Sequence, residues 1–158
     1  MLIYFGYHKG QVIQALRYHF ISRPEIRIML ILVNVFAIAS LVLYFMKKIT
    51  PMACFVGTFL WIVLMISFWF ILPYSVYRRA ITFRHEFDMD FESDGFTLRH
   101  ERGSKSWPWT ALKQYVESPH FFHLYFDSRS FFIVPKDAFE AGDVQEVRKI
   151  LESKINKK

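Results

Sequence analysis

Cysteine is almost missing from this chain: Cys54 is the only one in 158 residues, so no intramolecular disulfide framework can staple the fold. It falls inside an apolar run and reads as a small buried residue. Charge is missing altogether from two stretches, Ile28 to Met46 and Met52 to Leu72. The patterned glycines of nucleotide sites and the G-x-S-x-G elbow are also missing, which leaves phosphate binding, hydride transfer and serine hydrolysis without a signature. A cleavable leader is not expected, because the first apolar run starts far into the chain, is long enough to span, and is followed by lysines.

The uncharged stretches organise everything else. In the first, only Asn34 and Ser40 interrupt the apolar residues; in the second, Thr58 and Ser67 are the only hydroxyls. A hydrocarbon layer of ~30 Å takes roughly 20 residues of helix, the length of each run. A soluble core helix would carry a polar face, and neither run has one. The expectation is a transmembrane helical hairpin over 28–77, turned by Lys47-Lys48-Ile49-Thr50-Pro51. Its polar residues should face the partner helix, with Asn34 level with Ser67 and Ser40 level with Thr58. Pro73 should kink the second helix, and Trp69, Tyr74 and Tyr77 should supply an interfacial belt.

Of the charged residues up to Tyr77, six are basic and Glu25 alone is acidic; from Arg78 onward, 14 basic residues face 13 acidic ones. The basic excess therefore lies beside the apolar runs, where anionic lipid attracts it, and the near-neutral remainder gives no nucleic-acid footprint. Arg17, Arg23 and Arg27 before the hairpin and Arg78, Arg79 and Arg84 after it outnumber Lys47 and Lys48 in the loop. Both ends should therefore be cytoplasmic. Arg23, Arg27, Arg78 and Arg79 are the expected membrane-interface cations.

Residues 1–27 read as an N-terminal strand over 2–7 and an amphipathic helix over 11–21, ended before Pro24. That helix could lie along the interface or pack on the soluble domain. Residues 78–158 change to a period of two: Phe83, Phe87, Met89 and Phe91 alternate with Arg84, Glu86, Asp88, Asp90 and Glu92, so the odd side should pack inward. Ser93-Asp94-Gly95 reads as a turn, with return strands over 96–100, 105–109, 113–117, 121–126 and 130–134. A last helix, with Asp143 as N-cap and Glu146 three residues on, carries an apolar stripe of Val144, Val147, Leu151 and Ile155. Its charged face, Arg148 included, should be solvated. The fold class is an α+β membrane protein: the hairpin, then a small antiparallel β domain, a strongly curved sheet or split barrel closed by a C-terminal amphipathic helix.

The segment from Tyr7-His8-Lys9 through Tyr18-His19-Phe20 to Arg23-Pro24, the hairpin, Phe91 to Gly95, Trp107-Pro108-Trp109, Phe121 to Tyr125 and Val134 to Phe139 together resemble the YcxB-like family of bacterial membrane proteins. The resemblance implies a two-helix hairpin followed by a pleckstrin-homology-like (PH-like) domain, and a bacterial inner-membrane address. It implies no catalytic residues. The chain departs from the family's pattern at His8-Lys9-Gly10, where an acidic residue is expected.

Three patterns invite chemistry. Asp90, Glu92, Asp94, Gly95 and Glu101 fit the spacing of an EF-hand loop, but the flanks alternate as strands do, and a hairpin turn with an acidic face explains the same residues. His120 and His123 have metal-like spacing only on a helix, and this stretch is strand-like. Trp107 and Trp109 would share one side of an edge strand, as core if inward or as a partner-binding surface if outward. No catalytic, metal or cofactor site is expected. The expected function is a membrane-anchored, non-catalytic protein-binding module. The alternative is an immunity protein neutralising an antibacterial toxin at the membrane. Expected partners are the bilayer and another protein, which in the alternative is the toxin. Nucleic acid is not expected, and self-association is left open.

Overall fold

Prolines start both long helices. The computed structural model describes residues 1–157 and opens with β1 (Leu2–Phe5) and α1 (Lys9–Ser22), followed by α2 (Pro24–Phe45) and α3 (Pro51–Ile66). Pro24 and Pro51 occupy first helical positions, where a missing N–H costs nothing, and the Thr50 side chain caps α3 by accepting from the Ala53 N–H at 3.3 Å. Pro24 thus begins the next helix as well as ending the last. Between α2 and α3, Lys47 takes a left-handed conformation (φ 56°) and Lys48 N–H reaches back to the Leu43 carbonyl at 2.9 Å. That closes α2 in the manner of a Schellman cap without the usual glycine.

A π-helical turn (Ser67–Ile71) follows α3 and leads into α4 (Leu72–Arg79). The distortion sits one turn before Pro73. Proline has no N–H to give to the carbonyl four residues back, that of Trp69, and its ring crowds the same turn. The turn widens, so that Leu72 N–H bonds the Ser67 carbonyl. Arg17 fills the vacancy: its Nε donates to the Trp69 carbonyl at 2.8 Å, and its guanidinium lies 5.1 Å from the Trp69 ring centre. Pro24–Phe45 and Pro51–Arg79 are each long and apolar enough to cross a membrane. No residue of α2 is buried.

Two compact units divide the chain: residues Leu16–Arg79 form one, and Met1–Ala15 joins Ala80–Lys158 in the other. The second is built from two four-stranded sheets. In the first sheet β1 pairs antiparallel with β2 (Phe87–Phe91), then come β3 (Gly95–His100) and β4 (Gly103–Pro108). The β1–β2 register, Leu2 with Asp90 and Phe5 with Phe87, joins residues more than 80 apart, so the helical hairpin is an insertion between neighbouring strands. As the period of two requires, Phe87, Met89 and Phe91 point inward. The alternating stretch that includes Phe83 begins instead as a 3-10 turn, Ile81–Arg84, because β1 offers pairing partners only as far as Phe87. Gly95 faces Pro108 so closely that a Cβ would lie 2.2 Å from the Trp107 carbonyl, and no other residue fits there.

The second sheet has the order β7 (Phe131–Pro135), β6 (Phe121–Tyr125), β5 (Gln114–Glu117) and β8 (Asn156–Lys157). All-antiparallel pairing was the expectation, and β8 departs from it. It follows α5 (Asp143–Lys154) and lies parallel to β5, since the helix carries the chain back to start a second strand in the same direction. Gly142, at φ 117°, occupies the cap position expected for Asp143, which sits instead in the first turn, where its charge suits the helix dipole. Val147, Leu151 and Ile155 lie in one core with Phe91, Phe96, Tyr115 and Leu124.

Arg148 is not solvated as expected. It folds from α5 onto Glu117 of β5, donating from Nε to Oε2 at 3.0 Å, while Lys136 Nζ reaches Oε1 at 2.7 Å. The Glu117 side chain is 15% exposed, so its charge has to be matched. Arg148 first, and Lys136 with it, lower the Glu117 carboxyl from 4.5 to about 2. Because the folded value lies below the unfolded one, the stabilisation is full above pH 4.5 and is lost as pH falls toward 2, a window set by the same shift. Its size is on the order of 2–3 kcal/mol. Denaturant titrations of wild type and Glu117→Gln should converge as pH is lowered through that window; a gap independent of pH would show that the carboxylate's charge is not what holds α5.

Candidate functional site

The first sheet opens at the β3–β4 turn. Phe87, Leu98, His100, Lys105 and Trp107 share the inner face, in register across β2, β3 and β4. Toward the middle of the sheet that face is apolar. At the open end it becomes basic, and a cavity of about 590 Å³ forms between it, Ile81 and Phe132 of β7. His85, His100, Arg102 and Lys105 line it together with the apolar floor, and no carboxylate does. The His85 and His100 rings stack at 6.3 Å and 21°. The Arg102 backbone N–H donates to His100 Nδ1 at 2.9 Å, which in the neutral ring places the proton on Nε2 as a donor. Lys105 Nζ stands 5.1 Å from the Trp107 ring centre.

Across the histidine pair lies a second cavity of about 510 Å³ with the opposite balance, since three carboxylates, Glu86, Asp88 and Glu101, line it with two arginines, Arg84 and Arg99. Tyr4 donates its hydroxyl to Glu86, and that bond, followed by burial, raises the phenol above its usual range. Sequence reasoning missed both cavities. The only signal for the first was that His100 and Lys105 fall on the parity that should be apolar.

Trp107 and Trp109 separate. Trp109 is 3% exposed: it stacks on Phe91 at 6.1 Å and gives its indole N–H to the Glu92 carbonyl at 3.1 Å. In this fold it cannot present its ring to a partner. The strand ends at Pro108, so Trp109 enters a 3-10 turn, and both rings close on Phe96 at 5.4 Å from opposite ends of the proline. Trp107 is half-buried and lines the cavity.

The polar residues of the hairpin meet different neighbours from those expected. Asn34 stands opposite Trp61 rather than Ser67, accepting the indole N–H at 3.3 Å while its own amide returns to the Leu30 carbonyl. Ser40 faces Gly57, and Thr58 bonds the Cys54 carbonyl of its own helix at 3.0 Å. Ser67 opens the π turn. The tight loop sets this register, because helices ending at Phe45 and starting at Pro51 bring Asn34 alongside the low sixties. Arg27, Arg78 and Arg79 are exposed, the last two at the C-terminus of α4, where the helix dipole favours cations; Arg23 pairs weakly with Glu25 at 3.8 Å.

The remaining patterns are structural in this fold. β3 lies between Asp94 and Glu101, which puts them about 20 Å apart at ~3.3 Å per residue, too far to share one calcium ion. His120 is exposed, whereas His123 is buried and bonds Ser118 Oγ at 3.0 Å. That hydroxyl in turn donates to the Phe121 carbonyl at 3.1 Å, so the pair ties a tight turn and does not prepare a nucleophile.

Compared with known proteins, residues 91–151 match the family model described as YcxB-like protein, which covers β2's last residue through most of α5. No curated protein and no solved structure matches the chain.

The two indoles should differ in what they contribute. Trp109→Ala should cost about 3–5 kcal/mol in a denaturant titration, and Trp107→Ala roughly 1–2 kcal/mol. Equal losses would contradict the inward position of Trp109.

Proposed function

We propose, with the YcxB-like match over residues 91–151 as the premise, that this chain is a membrane-anchored, non-catalytic protein-binding module of the bacterial inner membrane. The observation that carries the anchoring is that α2 runs for 22 residues without one buried side chain. Apolar surface on that scale is stable only in lipid or against another apolar surface. The two-sheet unit then stands on the cytoplasmic side with both ends of the chain, an orientation supported by the arginines that flank the hairpin. The two sheets and closing helix suit the PH-like split barrel that the family resemblance implies.

The binding role is supported by β1. It is an edge strand of its sheet, and Leu2 and Tyr4 expose 62% and 63% of their surface on the side away from the core. An edge with outward apolar residues is a ready acceptor for a partner strand. Should that partner be an antibacterial toxin, the same surface would serve an immunity protein.

Two measurements test the reading. The full chain should stay in the membrane fraction under alkaline carbonate and leave it only with detergent, and a reporter fused at the C-terminus should be active in the cytoplasm. Release by carbonate alone, or a periplasmic reporter, would overturn it. A photo-crosslinking residue at position 4 should trap a discrete heavier product in cells, lost on Leu2→Lys; trapping nothing would remove the β1 surface as the binding site.

A further inference from the structure

Asn34 is the one amide side chain inside the two apolar spans, and its hydrogen-bonding capacity is only half used. An asparagine offers two N–H donors and two carbonyl lone pairs. One N–H goes to the Leu30 carbonyl at 2.8 Å, and one lone pair takes the Trp61 indole N–H at 3.3 Å. The second donor and the second lone pair have no partner among the described residues, and the residue is exposed. Asn34 lies ten residues after Pro24 and eleven before Phe45. At 1.5 Å per residue that is roughly 15 Å from either end of α2. In a bilayer this depth is dry, so only another protein group can complete the amide.

The row on which Asn34 sits supplies the surface. Leu30, Val33, Ala37 and Ser40 form one seam of α2 and are half-buried, on the side where Ser40 meets Gly57 of α3. One residue further on, about 100° round the helix, Ile31, Asn34, Ile38, Leu41 and Phe45 repeat at steps of three and four, and all are exposed. Asn34 stands at the border of the two seams, which is how it can reach Trp61 and still be exposed. Arg27 continues the outer seam at the helix start, where a long side chain reaches the head groups.

A second copy of this chain fits that seam better than a foreign helix does. A foreign helix would need a polar group at the same depth, whereas a copy inserted in the same orientation brings its own Asn34 there. An amide is also complementary to itself, since each N–H can meet the other's carbonyl oxygen in the reciprocal pair that a two-fold interface requires. A single asparagine in an apolar heptad seam fixes register and copy number by this means.

We propose that two copies of this chain pair in the bilayer through the α2 seam of Ile31, Asn34, Ile38 and Leu41, with the two Asn34 amides hydrogen-bonded to each other at its centre. The proposal rests on the membrane reading above and adds a partner to it.

Two readouts on the full chain test it. In vesicles of phosphatidylcholine and phosphatidylglycerol, copies tagged after Lys158 with donor or acceptor fluorophores should show energy transfer that falls as lipid is added. Asn34→Leu should weaken the association about tenfold, and Asn34→Gln should keep most of it. Leucine suits a helix in lipid, and an unchanged thermal transition should show that the variant folds. Trp61→Phe removes the contact inside the hairpin and should leave association intact; a loss equal to that of Asn34→Leu would make Asn34 a tie within one chain and overturn the proposal. In membranes, with Cys54→Ala as background, Ile38→Cys should oxidise to a product of dimer mass, and Phe36→Cys, on the opposite side of α2, should not. Absent energy transfer, equal crosslinking at the two positions, or a crosslinked product of any other mass would overturn the pairing. Release of the chain by alkaline carbonate would sink the membrane reading and the pairing together, whereas a carbonate-resistant monomer sinks the pairing alone.

Discussion

The pairing of β1 with β2 is the constraint on which the rest of the structure depends. It joins Leu2–Phe5 to residues 87–90 across the whole helical segment, so the insertion must leave and return at one corner of one sheet. Closing a loop of that length costs about 4 kcal/mol in chain entropy if it is flexible. The hairpin lowers this cost, since α2 and α3 run antiparallel and bring their far ends together. Without β1 the first sheet would lose Ile3 and Phe5 from its core and leave the inward side of β2 half-covered.

Helix α5 is the second closure, and it uses both apolar burial and charge. Val147, Leu151 and Ile155 lie in the core that the two sheets share, while Arg148 reaches over to Glu117 and Lys136 completes the cluster. Burial supplies most of the free energy and the ion cluster sets where along β5 the helix sits, because a half-buried carboxylate tolerates only a narrow range of partners. A comparable economy operates in the hairpin. Pro73 removes one hydrogen bond from the helix, and Arg17 from α1 restores a donor to the orphaned carbonyl of Trp69.

Open ends of small β folds have to be finished somehow, and this one is finished in two ways. On one side of the His85–His100 stack, three carboxylates share a cavity with two arginines; on the other, Arg102 and Lys105 stand over an apolar floor. The contrast depends on a few parity positions, chiefly His100 and Lys105, where the alternation that builds the core is broken by charge. A break in an otherwise consistent pattern is where function is to be sought.

What the sequence determined by itself is what depends on local periodicity: the two uncharged helices, the inward parity of Phe87, Met89 and Phe91, the turn at Gly95, and the apolar stripe of α5. Each follows from the spacing of residues along one element. Tertiary structure decided everything that needed two distant elements to meet. Asn34 found Trp61 because the loop length fixes the hairpin register, Trp109 turned inward because Pro108 ended its strand, Arg148 left solvent because Glu117 lay beneath it, and β8 ran parallel because a helix preceded it. The basic cavity belongs to this second group, since His85, His100, Arg102 and Lys105 come from the segment before β2, from β3, from the β3–β4 turn and from β4, and the fold alone brings them to one space.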